Sequence, residues 1–226
     1  MKDSTHITNT YVAFCDILGF SNNIKTDFEK TIVIYREFKK QVHLKGIVEA
    51  HISVYSDSII IEGDNLLKVC TAAQLLLWTT LSHGWIVRGG VAYGKHWKEA
   101  DNSNLFIISE ALVKAVDIEK CVRHPVIALS EEISLELNYW LLGFEYSVFD
   151  LPIIHYDNRN IINPFNNYWF TSAVINLGNI KERNPLHTLK YDYLLKLAEA
   201  ISSGKCFIPQ PIIDDMLQKK MIKEIK

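Results

Sequence analysis

Apolar positions along the chain follow two rhythms. "YVAFCD", residues 11–16, is a short apolar run of the kind that fills a buried strand. From Asn22 to Leu44 apolar side chains recur every three or four residues, at Ile24, Phe28, Ile32, Tyr35, Phe38 and Val42. This spacing predicts one helix, with Gly46 as its C-cap. "IVEAHISVY" and "SIIIEG" predict two strands joined through "YSDS" as a hairpin. "NLLKVCTAAQLLLWTTLSHG" returns to helical spacing, with Asp64 or Asn65 as N-cap, Gly84 as the stop, and a core stripe of Leu75, Leu76, Trp78 and Leu81. "GWIVRGGVAYG" predicts a fourth strand. Beyond it, "KHWKEADNSN" reads as a polar loop, 105–120 as a helix, "HPVIAL" as a strand and "SEEISLELN" as a short helix capped by Ser130. The remainder alternates strand-like pieces between Glu145 and Tyr156 with a helix near Leu186–Ser202.

The order β-α-β-β-α-β predicts an α+β fold with a ferredoxin-like core. In that arrangement the first and third strands are antiparallel neighbours, so the end of strand one lies beside the turn between strands two and three. Asp16 sits at that end and Asp57 in that turn. With no internal repeat or linker, one domain is expected, with a polar tail at 1–10, a core at 11–135, and a C-terminal elaboration of the same domain at 136–226.

Composition works mainly by exclusion. At 226 residues and 48% hydrophobic, the chain carries ample material for a core. A formal charge of −2 supplies no electrostatic reason to expect nucleic acid as partner. Four cysteines without a C-x-x-C pair fit neither a zinc knuckle nor a disulfide framework, and the eight histidines show no H-x-x-x-H spacing. The start "MKDSTHITNT" has no apolar core of a signal peptide, and no apolar run approaches about 18 residues, so a cytoplasmic protein without a membrane span is expected.

An Asp closing a buried strand can cap a helix, close a turn or hold a metal, and Asp57 taken alone is an ordinary turn residue. Together at one sheet edge, the two carboxylates suit a pair of hard divalent cations, Mn²⁺ or Mg²⁺, which take oxygen ligands and substrate phosphates. One such ion activates an attacking hydroxyl while the other binds the leaving phosphates. The backbone N–H groups of Leu18, Gly19 and Phe20, at the opening of a helix, could cradle a triphosphate, with Gly19 supplying the conformational freedom.

"FCDILGFS" resembles the first metal-binding segment of class III nucleotide cyclases, and "SVYSDSIII" resembles their second metal-binding hairpin. "RGGVAYG" stands where that family has a glycine-bearing strand, and "ALVKAVDIE" where its dimer-facing helix lies. Within the superfamily, "DILGFS", "SDSI", the doubled glycine and the "IE" before a strand starting at Pro125 are similar to the bacterial uridylate and cytidylate cyclases of the Pycsar anti-phage system. The resemblance spans about residues 11 to 130. It implies that Asp16 and Asp57 bind two Mn²⁺ or Mg²⁺ ions, with the Ile17 carbonyl as a further ligand, in a homodimer that shares its active sites.

Where purine cyclases carry base-reading residues this chain has Ser53 and, near the second position, Phe106. Their loss favours a pyrimidine, packed on Tyr55. The transition-state Asn and Arg of purine cyclases would fall near Val113 and Asp117, so charge on the α-phosphate needs another cation. Arg88 is the first candidate and Lys114 the second. The implied activity is conversion of UTP to 3′,5′-cyclic UMP and pyrophosphate, with CTP as second substrate and a separate cyclic-nucleotide-activated effector downstream. Two alternatives remain: a degenerate cyclase fold that binds without turnover, and a nucleic-acid-processing palm domain, for which the basic surface is lacking.

Overall fold

The computed structural model describes residues 7–44, 50–101, 104–145, 150–183, 187–203 and 208–222. The first half runs β1 (Thr8–Ile17), α1 (Phe20–Thr26), α2 (Phe28–Leu44), β2 (His51–Tyr55), β3 (Ser58–Gly63), α3 (Leu66–Ser82) and β4 (Val87–Asp101). It continues with β5 (Asn104–Ser109), α4 (Glu110–Cys121), β6 (Ile127–Leu129), α5 (Leu137–Glu145), β7 (Ile153–Tyr156), β8 (Arg159–Ile162), α6 (Phe170–Arg183), α7 (Thr188–Ser202) and α8 (Gln210–Gln218). The described strands form one mixed sheet in the order β2-β3-β1-β4-β6-β8-β7, with β5 paired to the outer length of β4. β1 is antiparallel to both β3 and β4. β6 runs parallel to β4, a direction that requires the crossover through α4. The fold is α+β, and its first four main strands have the ferredoxin-like arrangement. No helix among the described residues is long and apolar enough to cross a membrane.

The pleat sorts β1 between two layers. Ala13, Cys15 and Ile17 are fully buried in the main core with Ile59, Ile61 and the apolar side of α3, including Val69, Cys70 and Ala73. Asp16 and its same-face neighbours lie on the opposite side, where α4 crosses β4. Gly90 makes that crossing possible. A Cβ there would stand 2.3 Å from the Ala115 carbonyl oxygen and 2.7 Å from Ile118.

Several expected elements shift. The helix expected over Asn22–Leu44 is broken after Thr26, because Asp27 caps a new helix: its carboxylate accepts from the Lys30 amide at 2.9 Å. Phe28 is consequently exposed, while Thr31, Ile34 and Phe38 make the buried stripe. Gly46 lies outside the described residues. Asn65, rather than Asp64, caps α3, and Gly84 ends it at φ +82.

The loop expected at "KHWKEADNSN" is strand over its described part: residues 95–101 continue β4 and pair with β5, so α4 begins only at Glu110. The polar sequence hides a strand because buried inward positions are filled by charge-bearing groups. Glu62 lies beside His96, 3.3 Å from its Nε2, and is also paired with Lys98. "SEEISLELN" is not a helix up to Leu135: Ser130 Oγ accepts from the Glu132 amide in a turn, and α5 starts at Leu137. Glu145 therefore ends a helix, and the strands of that region are β7 and β8. The helix expected near Leu186–Ser202 is α7.

Candidate active site

The Ile17 amide donates to the Asp57 carbonyl at 3.1 Å, which ties the end of β1 to the β2–β3 turn. Two residues far apart in sequence thus sit side by side at one sheet end. The turn is tight, and Ser56 takes a left-handed φ of 61°. Tyr35 on α2 holds it, donating its hydroxyl to the Ser56 carbonyl at 2.5 Å. Burial, and then the negative field of Asp57 and Asp16, push the Tyr35 hydroxyl well above its usual range, so it remains a neutral donor.

Strand register lays out the rest. Tyr55 pairs with Ser58, Ser58 with Asp16, and Asp16 with Arg88, so these four form a row across β2, β3, β1 and β4 on one face. The next row on that face is Ser53, Ile60, Phe14 and Gly90. A carboxylate at the strand end therefore adjoins a half-exposed apolar floor, with Tyr55 and Ser53 on its edge-strand side. Tyr55 is 53% exposed, an aromatic face open to a ligand.

Asp16 is half-buried, and its carboxyl is held above the usual range. Burial is the first cause and Asp57 the second, followed by Glu119; Arg88 and Lys190 pull the other way. A half-buried carboxyl at Asp16 whose charge is opposed by burial and by the Asp57 carboxylate is what a hard divalent cation relieves. Among the described residues there is no group of three or more His, Cys, Asp and Glu able to hold a metal. The strand end offers two carboxylates and the backbone of Ile17, so an ion held there would complete its shell with substrate oxygens and water.

Other expected residues fall unevenly. Gly19 has φ +76, a conformation that favours glycine. The Leu18 amide, expected in the phosphate cradle, is committed to the Ile86 carbonyl at 3.0 Å and is not available for it. The ring of Phe20 is buried edge-on to Tyr35 and Trp85, leaving only its backbone for a ligand. Arg88 donates from Nε to the buried Glu119 at 2.5 Å and from a terminal nitrogen to the same oxygen, so much of its fork is engaged. Lys114 is tied to Glu110 and Glu132 on the outer side of α4 and is no substitute cation for the site. Val113 and Phe106 are exposed, and Asp117 pairs with Lys120 at the surface.

Three residues near the site escaped the sequence reading. Tyr35 looked like one more apolar position of its helix. Glu119 carried a legible signal, since a charged residue falls on the same helical stripe as the buried Ala111 and Ala115. Lys190 lies in the C-terminal elaboration, and nothing local in sequence connects it to Asp16.

No protein-family model and no curated protein matches the chain. Among solved structures it is similar to the dimeric guanylyl cyclase domain of the RhoGC fusion protein from the aquatic fungus Blastocladiella emersonii. That likeness has 15% identity and a TM-score of 0.46, and covers 55% of this chain and 81% of that one. Adenylyl cyclase CyaB from P. aeruginosa is also similar, at 15% identity and a TM-score of 0.43, over 69% of this chain and 92% of that one. A bacterial light-regulated adenylyl cyclase is similar at 13% identity and a TM-score of 0.46, over 75% of this chain and 97% of that one. The likeness is one of partial shape, and the functional reading rests on the chain's own residues.

Proposed function

We propose that the protein is a pyrimidine nucleotide cyclase that converts UTP to 3′,5′-cyclic UMP and pyrophosphate, with CTP as second substrate. The observation that carries the reading is the row Tyr55–Ser58–Asp16–Arg88 with Asp57 hydrogen-bonded beside it. Bound Mn²⁺ or Mg²⁺ would supply Lewis acidity for the 3′-hydroxyl and charge neutralisation for the departing pyrophosphate. Asp16, Asp57 and the Ile17 carbonyl would hold the ions. Tyr55 would face the base, with Ser53 beside it, a hydroxyl in place of the larger groups that purine cyclases use. Arg88, oriented by Glu119, would offer its remaining N–H groups to the α-phosphate.

The resemblance supports a homodimer with shared sites and a second-messenger role in anti-phage defence, acting through a separate effector. A second reading, nucleotide binding without turnover, is favoured by one observation: the only cation in the site row is already bonded to Glu119. Incubation with each of four nucleoside triphosphates and Mn²⁺, followed by assay of pyrophosphate and cyclic product, separates the two. The cyclase reading expects cyclic UMP from wild type and a loss of at least about 100-fold in Asp57→Ala. Nucleotide binding without product from any substrate would establish the second reading.

A further inference from the structure

The candidate site contains two carboxylates and a cation already paired with Glu119, yet its substrate would bring a strongly negative polyphosphate. A cavity of about 410 Å³ opens beside Gly19, between the β1–α1 loop, the loop before β4 and the start of α7. Lys30 and Lys190 both line it, with His187 and Asn22. Lys190 comes from α7, outside the stretch that resembles cyclases, and shares the cavity with Leu18 and Gly19 of the loop that follows Asp16. Among the described residues it forms no ion pair, whereas Lys181 and Asp192 nearby are paired with each other.

Both lysines sit in the first turn of their helices, Lys30 on α2 and Lys190 on α7. A cation at that end opposes the helix dipole, so neither placement is explained by helix stability. An anion in the cavity would meet both.

We propose that Lys190, assisted by Lys30, binds the terminal phosphates of the nucleoside triphosphate, so that the C-terminal elaboration adds a cation from the same chain to the one that α2 of the core provides. This rests on the cyclase reading for the identity of the ligand, but its geometry stands on the cavity. Lys190 is a substrate-binding residue here: it would hold the polyphosphate along the cavity and neutralise the departing pyrophosphate, with no proton transfer required of it.

The test is titration calorimetry of the full chain with inorganic tripolyphosphate in Mg²⁺, alongside thermal melting of each variant. Lys190→Ala should weaken binding by about 10-fold or more, the effect of losing a charge-assisted contact. Lys190→Arg should retain most of the affinity, and Lys196→Ala, which removes the same charge from the exposed side of α7, should leave it unchanged. Equal affinity in wild type and a folded Lys190→Ala, or no tripolyphosphate binding by wild type, overturns the proposal. A wild type that cyclises no nucleotide while Lys190→Ala still loses tripolyphosphate affinity would sink the cyclase reading and leave the phosphate site standing.

Discussion

Asp16 is placed at a cost. Burial first, and then the charges of Asp57 and Glu119, hold its carboxyl above the ordinary value of 3.8, so at neutral pH the folded, metal-free protein carries a charge it disfavours. The penalty is absent below 3.8, where the group is protonated in both folded and unfolded states, and grows as pH rises through the elevated pKa. Asp16→Asn should therefore raise the melting temperature of the metal-free protein at pH 7, by about 1–2 °C given that half-exposure screens the effect. The gain should disappear in acid. A lower melting temperature for Asp16→Asn at pH 7 would show that the ionised carboxylate is stabilised by the fold itself. Ser56, in a left-handed conformation next to Asp57, stores a second local cost at the same place, and the Tyr35 hydroxyl pins it there.

Among elements, those whose hydrophobic period was unbroken could be read directly: β1, the β2–β3 hairpin, α3 and α7. The sequence pattern misleads where a polar residue has a structural partner that only the fold supplies. Asp27 ends one helix and caps the next, which periodicity alone cannot register. The outer half of β4 has the polar sequence of a loop because its buried position carries His96, packed beside the buried Glu62 of β3. Glycines also mean different things by position. Gly90→Ala would push a Cβ into the backbone of α4 and should destabilise by about 1–3 kcal/mol in urea unfolding. Gly178→Ala, in α6 with nothing within 4 Å, should instead stabilise by about 0.5–1 kcal/mol. Equal effects at the two sites would contradict the close α4–β4 approach.

At the scale of the whole molecule, one sheet runs from the edge strand β2 through β3, β1, β4 and β6 to the β7–β8 hairpin, so the strands after residue 135 extend the same sheet. The topology was legible because β-α-β-β-α-β order fixes which strands are neighbours. That legibility covered Asp16 and Asp57, whose meeting follows from strand order. It could not cover Lys190, since placing α7 against the sheet end depends on packing of α6 and α7 that no local pattern encodes. The proposed cyclase requires that the two carboxylates jointly hold divalent ions next to the triphosphate. Mn²⁺ titration followed by electron paramagnetic resonance, with a UTP analogue whose α–β bridge cannot be cleaved, tests it most directly. Wild type should bind about two Mn²⁺ per chain, and both Asp16→Asn and Asp57→Ala should lose that binding. Unchanged Mn²⁺ binding in the two variants would contradict it.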